Sequence, residues 1–255
     1  SRSTGTFTLA AGGRIITANA NGLGATGSVQ MTRTYSSQAD YEFQGPVTGV
    51  FTTSTPNTVR DLIINNSVNG GDVILDQPLN VTRTLNLTEG MITTSANLLT
   101  IGAAGNATAP TPTSFVNGPL AKTGNTAFTF PVGKAGEGYR TIGIGTPSGN
   151  ATFRAEFVRS NPGGGTLGAG ITQISACEYW DLTRTGGGAG INARVTLSWE
   201  SVSPCGSSTV YVTNPVTLRV AHFVGGTWIN EGRSASTGDN TSGTVTSQNS
   251  VATFS

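Results

Sequence analysis

Aliphatic residues recur every six positions between residues 60 and 101, which is the most regular hydrophobic pattern in the chain. The members form two series: Val73, Leu79, Leu85 and Met91, and then Leu75, Val81 and Leu87. Each unit has two apolar positions separated by one residue, followed by three polar or turn residues. Strand alternation places both apolar side chains on one face, and the three intervening residues allow a corner. This pattern predicts a parallel β-helix or β-solenoid.

Two further aliphatic runs, at 62–64 and 98–101, lie beside this repeat and are candidates for additional rungs. A solenoid must stack several repeats before it buries a continuous core. An antiparallel meander of short strands is the alternative interpretation, because it would show the same alternation of apolar and polar positions.

The first 45 residues contain short alternating runs separated by Gly and Asn, which predicts half-buried strands. Two of these runs have little visible local partner, so we expect them to cap the solenoid or to cross to a neighbouring subunit. The residues of this candidate assembly strand are Thr6, Phe7, Thr8, Leu9, Ile15 and Ile16.

The segment 102–114 is small, polar and interrupted by proline, which is typical of a domain boundary. We therefore expect a solenoid-like domain over 1–113 and a second all-β domain over 114–255. Strand candidates in the second part recur about every ten residues between glycine-rich turns, which favours an antiparallel, immunoglobulin-like β-sandwich. Trp180, Trp199 and Trp228 lie on such strands and are candidate core anchors.

Composition narrows the function classes. The 255 residues include 36 Gly, 41 Thr and 23 Ser, whereas only 11% are charged and the net charge is +1. A long helical bundle needs abundant helix formers with a 3.5 or 3.6 period, and a nucleic-acid-binding protein usually has a basic patch. Neither feature is present, and no apolar stretch is long enough to insert into a membrane as a helix.

The chain has two cysteines, Cys177 and Cys205. In a reducing compartment they would be buried thiols. In an oxidising compartment they would form one disulfide closing a loop of about 28 residues, which adds roughly 3 to 4 kcal/mol in the chain-entropy model. Each follows or precedes a predicted strand, which suits a bridge between neighbouring strands.

The sequence contains few residues in arrangements that support catalysis, so we expect no enzymatic activity. The single histidine, His222, lies in a predicted strand and cannot form a multi-histidine metal site. Lyases and glycosidases need paired carboxylates, or a base beside acids, in a groove. The charges of the repeat, such as Arg83, fit solvated corners, and Asp181 with Arg184 fits a surface pair.

No cofactor is expected. Calcium is a weaker candidate, because Asp72 and the Asp239–Asn240 pair lie in glycine-rich loops where oxygen ligands could converge. The triple-glycine runs at 163–165 and 186–188 lack the lysine and the strand–loop–helix setting of a phosphate loop, so they are interpreted as turn tips.

The chain resembles the large secreted and cell-surface proteins of Bacteroidota that are exported by the type IX route. The resemblance covers roughly residues 40–255 and depends most on Phe-Pro-Val-Gly at 130–133 followed by Glu-Tyr-Trp-Asp-Leu at 178–182. It implies an extracellular or cell-surface β-rich protein of the adhesin or surface-structure type.

The leading hypothesis is a non-catalytic extracellular structural protein, a surface adhesin or a self-assembling filament or surface-layer subunit, joined by strand-edge contacts. Its partners would be copies of itself. The alternative is a carbohydrate-binding module that recognises surface glycans, with Tyr179, Tyr211 or Trp228 stacking on sugar. A β-helix polysaccharide lyase is a third interpretation.

Overall fold

The computed structural model describes residues 5–45, 56–67, 72–94, 96–200 and 212–254. These residues are all β, as predicted, with one short 3₁₀ helix at Pro215–Thr217 and no α-helix among them. The chain divides into two compact units, residues 1–123 and 124–255. No described helix is long and apolar enough to cross a bilayer.

The first unit contains twelve described strands. They are β1 (Thr6–Leu9), β2 (Arg14–Thr17), β3 (Thr32–Tyr35), β4 (Asp40–Gln44), β5 (Thr58–Asn65), β6 (Val73–Ile74), β7 (Leu79–Glu89), β8 (Ile92–Thr93), β9 (Leu99–Ile101), β10 (Asn106–Ala107), β11 (Val116–Asn117) and β12 (Leu120–Gly124).

Every described strand pair within this unit is parallel, which confirms the solenoid-like arrangement over the meander. The pairs join into the orders β2-β4-β5-β7-β9-β12, β6-β8-β11 and β1-β3. The long strand β7 pairs on one side with β5 and on the other with β9 and then β10. One coil therefore contributes β6 and two successive parts of β7 before it reaches β8.

The interior consists of columns of inward side chains in strand register. Consecutive members of these columns are 20 to 26 residues apart: Ile15, Tyr41, Leu62 and Leu85 form one column, and Val59, Val81 and Ile101 form another. All of them are buried. In-register stacking lets each buried side chain contact its equivalents in the coils on either side.

The six-residue step runs along one coil rather than between stacked rungs. Val73 lies in β6, whereas Leu79 and Leu85 lie in successive parts of β7. The flanking aliphatic runs are the true stacked neighbours, since Leu62 pairs with Leu85 and Leu99 with Leu79. The six-residue step therefore reflects the spacing of corners within one coil. The repeat that relates stacked coils is longer than six residues.

One charged side chain lies in the core of this unit. Lys122 is 2% exposed and continues the column above Ile101. Its Nζ donates hydrogen bonds to the carbonyl oxygens of Gly102 (2.7 Å) and Ala103 (2.9 Å), in the corner between β9 and β10. Burial lowers the pKa of Lys122 below its usual range, because the charged form loses hydration.

The second unit contains the remaining strands. They are β13 (Phe128–Phe130), β14 (Val132–Lys134), β15 (Gly138–Tyr139), β16 (Ile142–Ile144), β17 (Ala151–Val158), β18 (Thr166–Leu167), β19 (Tyr179–Gly187), β20 (Val195–Glu200), β21 (Val220–Val224), β22 (Thr227–Gly232), β23 (Ala235–Gly238) and β24 (Ser242–Thr246).

Pairing in the second unit is mainly antiparallel. A five-stranded sheet has the order β13-β16-β20-β24-β23, and β17 pairs with β19. A smaller sheet has the order β18-β22-β21, with β18 parallel to β22. Buried and partly exposed residues alternate along β17, as expected of a strand with one face on the core. Residues 114–123, which the sequence assigned to the second domain, lie in the first unit because β11 and β12 pair with β8 and β9.

Candidate functional site

The candidate assembly strand forms the first coil of the solenoid. Thr6, Phe7, Thr8 and Leu9 make up β1, which pairs with β3, and Ile15 and Ile16 lie in β2, which pairs with β4. Both strands therefore have partners within the chain. None of the described strands pairs with the opposite edge of either one. Among the described strands, the first coil thus has one backbone edge without a partner.

Side chains of the first coil divide sharply between covered and exposed. Leu9 and Ile15 are only 7% and 9% exposed, although their coil is the first one described. Ile16 points to the other face of β2 and is 51% exposed. The apolar interior is therefore covered at this end, and Ile16 is the apolar residue that the edge strand offers to solvent.

The backbone N–H and C=O groups of β2 that face away from β4 can be assigned from the hydrogen bonds between the two strands. The Asp40 amide donates to the carbonyl of Gly13 at 2.9 Å, so Gly13 faces β4. Backbone groups alternate in direction along a strand, which directs those of Ile15 toward β4 and those of Arg14 and Ile16 toward the open edge. The N–H of Ile16 is consequently a donor at the open edge of β2.

A turn-rich segment between β2 and β3 packs against these first coils. Leu23 is 1% exposed, and its carbonyl accepts from the Tyr35 hydroxyl at 3.5 Å. Thr17 Oγ1 lies 2.6 Å from Ser28 Oγ. Short polar residues that bond to neighbouring backbone are the usual means of ordering such a segment. Its contacts fix the chain on either side of Leu23 without adding a strand to the open edge.

Ion pairs cross from coil to coil on the outer face beside this edge. Arg60 donates to both carboxylate oxygens of Asp40, from Nε at 2.7 Å and from Nη2 at 2.8 Å. Arg83 pairs with Asp61, with Nε to Oδ1 at 2.7 Å, and also approaches Asp40 at 3.6 Å. Each arginine thus bonds to an acid of the preceding coil, which ties β4, β5 and β7 together.

Glu42 completes this ion-pair ladder at the edge strand. It is 2% exposed, pairs with Arg14 of β2 and accepts a hydrogen bond from Asn65 Nδ2 at 3.1 Å. A buried carboxylate needs such donors because losing its hydration is costly. At Asp40, the hydrogen bond from Arg60 lowers the pKa below its usual value. The ladder therefore pairs each acid with an arginine of a neighbouring strand.

A shallow, polar cavity of about 450 Å³ lies beside the ladder. It is lined by Gly12, Ser37, Gln38, Thr58, Arg60 and Thr82. Arg60 is engaged by Asp40 and also donates to the carbonyl of Gly12 at 3.2 Å. Arg60, the charged residue of this cavity, therefore helps to hold neighbouring coils together. The sequence pattern predicted that Arg83 is a solvated corner residue. It did not single out Asp40 or Arg60, because the acid and the arginine of each ion pair lie on different coils.

The candidate sugar-stacking residues do not share one environment. Trp228 is 9% exposed, and its ring packs against Phe223 with centroids 5.0 Å apart. Tyr179 is half-buried at the start of β19. Tyr211 lies outside the described residues. A stacking platform needs an accessible ring face, which in this conformation leaves Tyr179 as the more open of the two described rings.

Cys177 is disulfide-bonded. Its predicted partner, Cys205, lies outside the described residues, so the pairing stays a prediction.

The remaining titratable candidates are engaged by protein groups. His222 Nδ1 lies 3.3 Å from Glu231 Oε1, and Asp181 pairs with Arg154 at 2.9 Å rather than with Arg184. Asp239 Oδ1 accepts the Thr241 amide at 2.7 Å within its own turn, and Asp72 accepts from Thr93 at 3.0 Å. Hydrogen bonds to Thr241 lower the pKa of Asp239. Within the part of the chain that the structure describes, no three His, Cys, Asp or Glu residues converge as a metal site.

Comparison with family models, with curated proteins and with solved structures found no match to this chain, so its fold and site rest on its own residues.

Proposed function

We propose that the protein is a non-catalytic extracellular structural protein whose copies join through strand edges, as a subunit of a filament, adhesin or surface layer. The observation that carries this proposal is the edge of β2, which has no partner strand among the described residues and bears the exposed Ile16. An unpaired row of backbone donors and acceptors is a template for a strand from another chain.

The residues of this edge favour pairing with a strand from another copy over preventing such pairing. Natural proteins blunt exposed edges with short strands, charged side chains, proline or an inward-pointing charge. β2 is short and has one charged residue, Arg14, which is engaged by Glu42, and it contains no proline, lysine or inward-pointing charge. A second strand laid along β2 would gain backbone hydrogen bonds and would cover Ile16.

An extracellular location is supported by two observations. Cys177 is oxidised, and disulfides persist mainly in secreted and surface proteins. The resemblance to secreted and cell-surface proteins of Bacteroidota points the same way. The mutual neutralisation of acids and arginines in the ladder supports a structural rather than a catalytic role for them.

The finer architecture of the second unit belongs to the same proposal. Its five-stranded antiparallel sheet would form one layer of an immunoglobulin-like sandwich, and the antiparallel pair β21–β22 would contribute to the other. Such a sandwich would present loops at its ends. Glycan binding through the half-buried Tyr179 is the alternative function, and it predicts sugar-dependent binding by dispersed monomers.

The test uses edge-blocking variants of the full chain. Ile16→Pro removes an N–H at the open edge and leaves the bonds between β2 and β4 in place, since proline is tolerated on edge strands. Ile16→Lys adds a charge at the same position. We expect the wild type to self-associate in sedimentation velocity and to form assemblies in negative-stain electron microscopy. Both variants should sediment as monomers.

The matched control is Val216→Lys, which replaces another exposed apolar residue, 60% exposed, outside any strand. It should assemble as the wild type does. Assembly of both Ile16 variants at wild-type concentrations, or a wild type that stays monomeric throughout, would overturn the proposal. Monomers that bind a glycan array would favour the alternative.

A further inference from the structure

A long excursion interrupts the hairpin formed by β17 and β19. Val158 pairs directly with Tyr179, so residues 159–178 leave and return at one point. Connections of this length are uncommon in compact domains and usually have a function. The base is held by Arg159, which donates to the Cys177 carbonyl at 2.6 Å and to Glu137 at 3.1 Å.

The middle of this excursion lies as an added strand on β22, and we call residues 162–170 the strap. Its two-residue strand β18 pairs in parallel with β22, Thr166 opposite Thr227 and Leu167 opposite Trp228. The Thr166 amide donates to the Gly226 carbonyl at 3.0 Å, and the Gly168 amide to the Trp228 carbonyl at 2.9 Å. The strap is therefore an intramolecular case of strand addition.

The glycines of the strap allow this close approach. A Cβ at Gly168 would lie 2.5 Å from the Trp228 carbonyl oxygen, and one at Gly165 would lie 2.7 Å from the Phe223 ring. Neither distance is sterically allowed without displacement. The neighbouring Gly164, by contrast, has open space around its Cβ position. Contacts with β21 and β22 therefore require glycine at Gly165 and Gly168, whereas Gly164 is not confined by a neighbour.

The strap covers an apolar surface while burying little of its own. Trp228 is 9% exposed beneath it, whereas Leu167 is 40% exposed and Thr166 is also exposed. Its attachment thus consists of a few backbone hydrogen bonds and one from Asn230 Nδ2 to the Ala169 carbonyl at 3.1 Å. Elements with few buried contacts open at low free energy.

We infer that β22 is a strand-acceptor site, filled by the strap of its own chain and open to exchange with the strap of a second copy. The occupant is identified by fit, because the strap presents glycines at contacts where a side chain would collide, among them Gly165 and Gly168. An out-and-back excursion of this length reaches about 30 Å from its base. Reciprocal exchange of identical elements builds a closed, two-fold dimer.

This exchange adds a second contact to the edge assembly proposed above and does not depend on it. All test chains therefore carry Ile16→Pro, which blocks the first-coil edge. The acceptor variant is Gly168→Val, whose side chain cannot fit beneath the Trp228 carbonyl. The control is Gly164→Val in the same segment.

The first readout is hydrogen exchange at β22. We expect the Trp228 amide to exchange about tenfold faster in Gly168→Val than in the control, with unchanged far-UV circular dichroism. A synthetic peptide of residues 162–170 should restore protection, and the same peptide carrying Gly168→Val should not. Thr166→Pro, which removes the N–H donated to Gly226, is a second acceptor variant should the valine impair folding.

The second readout tests exchange between chains. Refolding the Ile16→Pro parent at high protein concentration should give a two-fold dimer in sedimentation velocity, because reciprocal exchange fills both acceptors. Gly168→Val, whose strap fits neither acceptor, should stay monomeric after the same treatment, and Gly164→Val should dimerise as the parent does. Unchanged exchange rates in both acceptor variants, failure of the wild-type peptide to protect β22, or absence of a dimer of the refolded parent would each overturn the inference.

Discussion

The two units treat exposed strand edges in opposite ways. In the first unit, parallel coils stack in register, and every coil needs a neighbour on each side. The first coil lacks one neighbour among the described strands, so the edge of β2 is open. In the second unit, β22 has a comparable edge, but the strap covers it. A solenoid therefore has an open edge at its first coil because of its geometry, whereas a mainly antiparallel unit can fold a loop back over an exposed strand edge.

The units also differ in how their cores are built. Leu85 contacts its equivalents in neighbouring coils through register, Leu62 on one side and Ala107 on the other. Phe153 belongs to an alternating strand and packs edge-on against Phe254, with ring centroids 5.1 Å apart. A stacked column and an aromatic cluster both exclude water, but they lose different contacts when one side chain is shortened.

The largest expected effect comes from breaking each core in turn. Leu85→Ala should lower the free energy of unfolding by about 2 to 5 kcal/mol and Phe153→Ala by about 3 to 5 kcal/mol, because both residues are fully buried. Urea unfolding followed by hydrogen exchange would measure the loss and show which strands lose protection. Ile74→Ala is the control, since Ile74 is 43% exposed and should cost well under 1 kcal/mol. Equal losses for Leu85 and Ile74 would contradict the column description.

A disulfide at Cys177 distinguishes the second unit from the first. Cys177→Ser should destabilise the second unit by about 3 to 4 kcal/mol, because opening a loop of about 28 residues increases the entropy of the unfolded chain. Guanidinium unfolding with and without reductant measures this effect. Reductant should lower wild-type stability to that of the variant and leave the variant unchanged. A wild type insensitive to reductant would show that the disulfide contributes nothing.

The ion-pair ladder belongs to the first unit, and its effect should be smaller and pH-dependent. Asp40→Asn should cost about 1 to 3 kcal/mol at neutral pH, because Arg60 loses a charged acceptor. The hydrogen bond from Arg60 holds the pKa of Asp40 below its usual value of 3.8. Its stabilisation is therefore complete above that value and is lost as the pH falls through the lowered pKa.

Urea unfolding at neutral and acidic pH would measure this dependence. The difference between wild type and Asp40→Asn should shrink below about pH 4. Glu89→Gln neutralises an exposed acid with no ion pair among the described residues, and it should leave stability unchanged at every pH. A constant difference between wild type and Asp40→Asn down to strongly acidic pH would contradict the assigned role.

Much of the first unit could be predicted from alternation, and the reasons for the misses are physical. The apolar residues of the six-residue step turn inward because strand alternation is a local property. The stacking partners could not be found in the same way, since pairing joins residues 20 to 26 positions apart, such as Leu62 and Leu85. In the second unit, the strand that contains Trp180 begins only at Tyr179, because the residues before it belong to the excursion.

The candidate site was predicted only in part for the same reason. Strand-length runs at Thr6–Leu9 and Arg14–Thr17 were visible, and the structure forms strands with those bounds. The pairing of these runs with β3 and β4 could not be predicted from the sequence, because the parallel partners lie 26 residues apart. The strap was harder to predict, since Gly163, Gly164 and Gly165 fit a turn tip and only the short distances from Gly165 to Phe223 and Trp228 reveal a contact.

The sequence by itself determined that this chain is β-rich, that its aliphatic residues face inward and that its charges are scarce. These properties depend on residue type and on alternation over a few positions. Only the tertiary structure decided which coil lies on which, which arginine meets which acid, and which strand edge is open or covered. Such contacts join residues far apart in the chain, and their partners are selected by register and close packing, which no local pattern encodes.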